Sequence, residues 1–214
     1  MVIRLLAVKG KAILGESKSM SLVTKLSVSL PEWLIDDVNN KRVPERLVTS
    51  REQMAFAIAL SRRNSTERTG GPFGTVIVES ESGLVKAVGV NVVVPSSCSL
   101  AHGEALAIAM AQAAANNYNL GAPGLPALTL VTSSQTCVQC FGAVVWSGVR
   151  KLICAASGED VERLVGFDEG PIHPQWRDEL RARGIEVVQG LMRDEACAVL
   201  DWYYKNGGVV YNSR

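Results

Sequence analysis

Ala101-His102-Gly103-Glu104-Ala105, answered further on by Cys137-Val138-Gln139-Cys140, is the part of the chain on which its reading turns. An imidazole and two thiolates form a tripod suited to Zn²⁺, with a fourth position left for water, and a carboxylate two residues from the imidazole can handle that water's protons. Each half has an ordinary reading when taken alone. A lone Cys-x-x-Cys can be a redox couple or two packed thiols, and a lone His is more often a polar residue at a helix start. Both halves open helices, however. The segment Ala105-Leu106-Ala107-Ile108-Ala109-Met110-Ala111 is apolar nearly all round, so its helix, from 101 to about 116, is expected to be buried with His102 and Glu104 on its first turn. Side chains there lean back toward the N-terminus, and both can border one cavity. The i, i+3 spacing of Cys137 and Cys140 puts both sulfurs on one helix face, and a helix N-terminus makes both readily ionised.

Strand signals flank these helices. Before the first lie Thr75-Val76-Ile77-Val78 and Leu84-Val85-Lys86-Ala87-Val88, a hairpin across Ser80 to Gly83 whose second strand Asn91 closes. Between the two helices comes Ala127-Leu128-Thr129-Leu130-Val131, after which Ser133 to Thr136 can cap the second helix. Lys151 to Ala155 and Ile185 to Val188 complete five strands. Between those two lie a turn-rich stretch from 157 to 174 and a helix from about 175 to 183, and a last helix runs from about 193 to 205. Upstream, 50 to 63 reads as a helix with Met54, Ala57, Ile58 and Ser61 on one face and capping-box spacing at Ser50 and Gln53. Pro31 suits the first position of a short helix that docks through Trp33, Leu34 and Val38. Such alternation predicts an α/β fold, with helices covering both faces of a mixed five-stranded sheet. Residues 1 to about 30 have no clean period, and Met20 offers an alternative start. The expected division is an N-terminal extension over 1–47, a catalytic domain over 48–190, and a C-terminal helix and tail over 191–214.

Composition limits the function classes. With 22 Lys+Arg against 21 Asp+Glu the formal charge is +1, so no global excess of positive charge favours a polyanionic partner, which weighs against nucleic acid or an anionic membrane as partner. No apolar run approaches the roughly 20 residues that span a bilayer, and Leu5-Leu6-Ala7-Val8 is too brief for a secretory segment, so a cytoplasmic location is expected. Cys98, Cys154 and Cys197 sit singly among apolar or small neighbours as buried free thiols do. His173, the second of 2 histidines, lies in a turn-rich surface stretch.

His-x-Glu opening one helix and Cys-x-x-Cys the next is the arrangement of zinc deaminases that act on bases. Together with Gly70-Gly71-Pro72-Phe73-Gly74-Thr75-Val76-Ile77-Val78, Asn91, and the run from Cys137 through Phe141-Gly142-Ala143-Val144-Val145-Trp146-Ser147-Gly148, it resembles the cytidine deaminase-like superfamily, and within it bacterial guanine deaminases. The resemblance spans roughly residues 70 to 169 and a tail feature. It implies a three-layer α/β/α sandwich, a Zn²⁺ on His102, Cys137 and Cys140, and Glu104 as the group that takes the water's proton and passes it to a ring nitrogen. Gly166-Phe167-Asp168-Glu169 resembles the stretch carrying a second acid, which makes Glu169 the helper of ammonia departure and Asp168 the fallback. Asn91 resembles a base-edge reader, Phe73 a residue stacking on a purine, and Gly207-Gly208-Val209-Val210-Tyr211 a tail that closes over the base, often from a neighbouring subunit. Trp146 lines a pocket across a subunit interface or fills core. One departure is Thr136, where the family usually has Pro; Thr can cap a helix in its place.

The implied activity is hydrolytic deamination of guanine to xanthine and ammonia by a cytoplasmic homodimer acting on a small nucleobase. Deamination of cytosine, cytidine, an aminotriazine or tRNA adenosine keeps the same zinc chemistry. A zinc or nucleobase-binding protein without catalysis is the reading from another class, and Glu104 argues against it, since a structural site needs no proton shuttle.

Overall fold

The computed structural model describes residues 22–212, so the expectations for residues 1 to 21, including the alternative start at Met20, lie outside the described residues. In chain order the elements are α1 (Glu32–Asn39), α2 (Ser50–Thr66), β1 (Gly74–Glu79), β2 (Val85–Val90), α3 (Val93–Ser96), α4 (Gly103–Ala115), β3 (Leu128–Ser134), α5 (Val138–Ser147), β4 (Lys151–Ala156), α6 (Gly158–Leu164), α7 (Trp176–Arg181), β5 (Glu186–Gln189) and α8 (Arg193–Lys205). The strands form one sheet in the order β2-β1-β3-β4-β5. β1 runs antiparallel to β2 and β3, while β3, β4 and β5 are parallel, so the sheet is mixed and five-stranded as expected.

Alternate residues of each strand feed opposite cores, which is what makes three layers. Val76, Val78, Val131 and Ile153 pack on one side with Met54 and Ala57 of α2 and Val199 and Leu200 of α8. Ile77, Leu130, Leu152 and Cys154 pack on the other with Ala107 and Ile108 of α4, Val144 of α5 and Leu180 of α7. Helix α4 lies very close to β2, because a Cβ on Gly89 would come within 2.1 Å of the Gly103 carbonyl oxygen. That approach sets the start of α4 against the sheet.

Several expectations shift in register. The capping box of α2 is one residue earlier than read: Thr49 Oγ1 accepts from the Glu52 amide at 3.2 Å and Glu52 Oε2 accepts from the Thr49 amide at 2.8 Å. Gln53 instead is buried and donates to the Leu47 carbonyl. Pro31 is the residue before α1 rather than its first, and Val38 is 48% exposed while Leu34 is fully buried. The stretch read as turns from 157 contains α6, whose capping box joins Ser157 to Asp160. Cys154 is buried, but Cys98 and Cys197 are only partly so. Helix α4 is not enclosed all round: Ala109 is exposed and Leu106 and Met110 half-buried, because α4 lies in an outer layer of the chain.

Candidate active site

The starts of α4 and α5 meet beyond the end of β3. His102 is the residue capping α4 and Cys137 the one capping α5, so the first ligand of each motif sits at the turn into its helix. His102 Nδ1 lies 3.4 Å from Cys137 Sγ and 3.5 Å from Cys140 Sγ. All three ligand atoms fall within 4.8 Å of one another. Tetrahedral zinc with bonds of about 2.3 Å to sulfur and about 2.0 Å to nitrogen separates N from S by about 3.5 Å, so the donor set and its spacing fit Zn²⁺.

Charge in the tripod is unevenly held. A hydrogen bond from the Cys140 thiol, with help from His102, brings the Cys137 thiol down to about 4. Cys140, which gives that bond and is buried, is pushed up, so the expectation that both are readily ionised holds for Cys137 alone. Burial works against a charged His102, but the Cys137 thiolate and Glu104 outweigh it and raise its pKa. Such a cluster shares protons that a divalent cation displaces. Thr136 does not cap α5. Its Oγ1 is buried and finds no hydrogen-bond partner among the described residues, and Cys137 takes the capping position.

Two carboxyls face the same pocket. Glu104, in the first turn of α4, is only 5% exposed; Cys140 Sγ lies 3.4 Å from its Oε2 and Thr132 Oγ1 lies 3.4 Å from its Oε1. Burial, and then the negative Cys137, raise its pKa. Glu169 is 9% exposed and is pushed up to about 9 by burial, then by the charges of Cys137, Glu104 and Glu162. Its carbonyl accepts from the Val138 amide at 3.0 Å, tying the loop to the start of α5. Asp168 borders the pocket too but is exposed, and its Oδ1 accepts from the Gly170 amide.

The pocket measures about 260 Å³, below the roughly 300–1,000 Å³ of drug-sized sites, as suits a single heterocycle. Phe73, Asn91, His102, Glu104, Glu169 and Tyr211 line it. Asn91, buried at the end of β2, donates from Nδ2 to Tyr211 Oη at 2.6 Å. The Phe167 ring stands 4.8 Å from Tyr211 and 5.3 Å from Phe73, so the tail closes over an aromatic rim within its own chain. Trp146 does not line this pocket and does not fill core; it is 81% exposed on α5. His173 is exposed as expected.

Sequence reasoning missed Thr132, Phe167 and Asn212. Asn212 Nδ2 donates to the Gly166 carbonyl and its Oδ1 accepts from the Asp168 amide, which binds the tail to the Glu169 loop. Thr132 looks like any strand residue, and nothing local marks a partner that lies 28 positions away at Glu104.

Comparison with known proteins adds to this geometry. A solved structure of guanine deaminase from Nitrosomonas europaea is 46% identical, with TM-score 0.80, covering 87% of this chain and 100% of that one. A structure of NE0047 in complex with 2,6-diaminopurine is 48% identical, with TM-score 0.81, covering 89% of this chain and 98% of that one. A probable cytosine deaminase of Schizosaccharomyces pombe is 31% identical over 129 residues, 58% of this chain and 74% of the relative. The profile of the cytidine and deoxycytidylate deaminase zinc-binding region matches residues 48–156, which contain the whole tripod and Glu104. With half the chain matched and the ligands inside that half, this protein belongs to the cytidine and deoxycytidylate deaminase zinc-binding family.

Proposed function

We propose that this chain is a zinc-dependent aminohydrolase that converts guanine and water to xanthine and ammonia. The observation that carries the reading is one small pocket bordered by His102 and Cys137 of the His-Cys-Cys tripod, by two buried carboxyls and by the buried Asn91 amide. The likeness to the Nitrosomonas guanine deaminase over 87% of the chain favours guanine over the other bases. A Zn²⁺ held by His102, Cys137 and Cys140 would act as the Lewis acid that makes water nucleophilic near neutral pH.

The remaining work falls to protein groups. Glu104 takes a proton from water through a carboxylate oxygen and hands it to a ring nitrogen as C2 is attacked. Thr132 Oγ1 of β3 holds that carboxyl in place. Glu169, kept protonated by burial, gives its proton to the departing amino group, which leaves as ammonia as the C2–N bond breaks, and the proton of the C2 hydroxyl returns to the Glu169 carboxylate as the carbonyl forms. Asp168 is the weaker candidate for this step because it is exposed and engaged with its own loop. Asn91 offers a donor and an acceptor to the edge of the base, and Phe73 and Tyr211 flank the ring and exclude water.

The test is ammonia release from a panel of guanine, cytosine, cytidine, adenine and an aminotriazine, with metal content measured on the same protein. Guanine turning over fastest is the expected result. Preference for cytosine, the runner-up on its 31% identity to the yeast relative, would overturn the assignment.

We also propose a cytoplasmic homodimer. Among the described residues no helix is long and apolar enough to cross a membrane. The outer face of α5 shows Trp146 to solvent beside half-buried Phe141 and Val145, and α4 leaves Leu106 and Met110 partly open, a patch of the kind that a second subunit covers. Sedimentation should show a dimer that Trp146→Arg dissociates; a wild-type monomer would remove this part of the proposal. Tyr211 reaches the pocket of its own chain, so exchange of the tail is not needed to close the site.

A further inference from the structure

We infer that Asn64 is a positioning residue for Asn91, acting on the base-reading amide through the backbone that it clamps; the inference rests on the role in guanine binding proposed above for Asn91. Asn64 lies near the end of α2 and is fully buried. Its Nδ2 donates to the carbonyl oxygens of Gly71 and of Asn91, each at 2.8 Å. An amide nitrogen has two hydrogens, and here each goes to a different segment of chain.

Those segments border the pocket. Gly71 belongs to the loop that enters β1, and Asn91 follows the last residue of β2. They approach so tightly that a Cβ on Gly70 would lie 1.8 Å from the Asn91 carbonyl oxygen. The Gly71 carbonyl also accepts from the Phe73 amide at 2.8 Å, but that bond stays within its own loop, and what ties the loop to the end of β2 is a donor that reaches both carbonyls. Asn64 supplies both bonds from one atom, which fixes the distance between the two segments as well as satisfying them. The Asn91 side chain is aimed from this fixed backbone: its Oδ1 accepts from the Val93 amide at 3.3 Å while Nδ2 reaches Tyr211.

The clamp is itself oriented from outside. Thr69 Oγ1 donates to Asn64 Oδ1 at 2.8 Å, which leaves Nδ2 toward the carbonyls. Trp33 Nε1 of α1 donates to Thr69 Oγ1 at 2.9 Å. The Arg63 guanidinium lies over the Trp33 ring at 4.4 Å and pairs with Asp37. A relay of Trp33, Thr69 and Asn64 therefore runs from the N-terminal helix, which forms no part of the pocket, to the residue that meets the base.

A double-mutant cycle separates positioning from plain stability. Asn64→Asp keeps size and shape but removes both donors, and it is compared with Asn91→Ala and with the double variant. Each is tested with zinc content confirmed, for kcat and KM with guanine and for calorimetric binding of 8-azaguanine. Asn64→Asp is expected to lower kcat/KM on the order of 10²-fold, with KM carrying most of the loss, since a misplacement of about 1 Å costs that much. In the Asn91→Ala background the same substitution should cost less than about threefold, because the two residues act as one unit. If Asn64→Asp does not fold, Thr69→Val carries the cycle in its place, with an expected loss of roughly fivefold for one hydrogen bond. Equal losses with and without Asn91, or wild-type kinetics in the variant, overturn the inference. A wild-type protein that neither binds 8-azaguanine nor releases ammonia from guanine would instead overturn the guanine reading, and the inference with it.

Discussion

The wall of the pocket that holds His102, Cys137 and Cys140 comes from two helix starts, whereas the wall that meets the base is gathered from a strand end at Asn91, a loop at Glu169 and the tail at Tyr211. On the first wall each ligand sits in or beside the first turn of α4 or α5, so short-range geometry aims it once the two helices are docked. On the second wall no residue is aimed by its own element. Asn91 depends on Asn64 and Tyr211, and Glu169 on Val138 and on the tail's Asn212. The difference suggests that metal binding and base recognition can be damaged separately.

Glu104→Gln probes the first wall most severely. It keeps the shape of the side chain and removes none of the three ligands, so zinc content should stay at the wild-type value while kcat falls about 10²- to 10⁴-fold. Loss of zinc along with activity would mean that the two functions of this wall are not separable. A step down in size is the pair Glu169→Gln and Asp168→Asn on the second wall. Glu169→Gln should cost on the order of 10²-fold in kcat for guanine, and Asp168→Asn much less, with zinc unchanged in both. The reverse order would transfer the second acid to Asp168.

The smallest expected effect concerns how the second wall is held. Asp160, in the first turn of α6, receives two bonds from Arg193 of α8, at 2.6 and 2.7 Å, and one from Arg163 at 3.1 Å. It thereby joins the helix before the Glu169 loop to the helix before the tail. The Arg193 guanidinium, then the Ser157 cap, hold its carboxyl below the usual carboxylate range. Its folded pKa being lower than its unfolded value of about 3.9, its contribution to stability is complete above that pH and is lost as the pH falls below it. Asp160→Asn should therefore cost about 2 kcal/mol at pH 7, or roughly 5 °C in Tm, and clearly less at pH 3. Zinc content at pH 7 should not change. A penalty independent of pH would assign the effect to packing and not to charge.

The same contrast explains what could be read from the sequence. The tripod and Glu104 were legible because their spacing is local and the chemistry of His, Cys and Glu restricts what such a pattern can do. The five strands were legible from short, continuous runs of β-branched and apolar residues such as Thr75 to Val78, bounded by turn residues, and the last helix from its position after them. Helix α6 was missed because Gly158 at its start reads as a turn, although Ser157 and Asp160 have the spacing of a capping box. The cap of α2 was displaced by one residue because Ser50 and Gln53 mimic the pattern that Thr49 and Glu52 fulfil. Thr136 was expected to cap α5, but the chain turns at Cys137 instead and leaves the hydroxyl buried. Asn64, Thr132 and Asn212 carry no local signature at all, and Phe167 is marked only as part of the Gly166 to Glu169 stretch and not as a pocket residue. Their partners lie between 27 and 46 positions away in the cases of Asn64 with Asn91, Thr132 with Glu104, and Asn212 with Gly166.

The central claim is that one zinc ion on His102, Cys137 and Cys140 enables guanine deamination in this pocket. Protein stripped of metal by a chelator and titrated with Zn²⁺, with xanthine formation followed at each addition, tests it most directly. Turnover should rise in proportion to zinc and level off at one ion per chain. Guanine turnover that persists in the stripped protein, or zinc-loaded protein that forms no xanthine, would contradict the account.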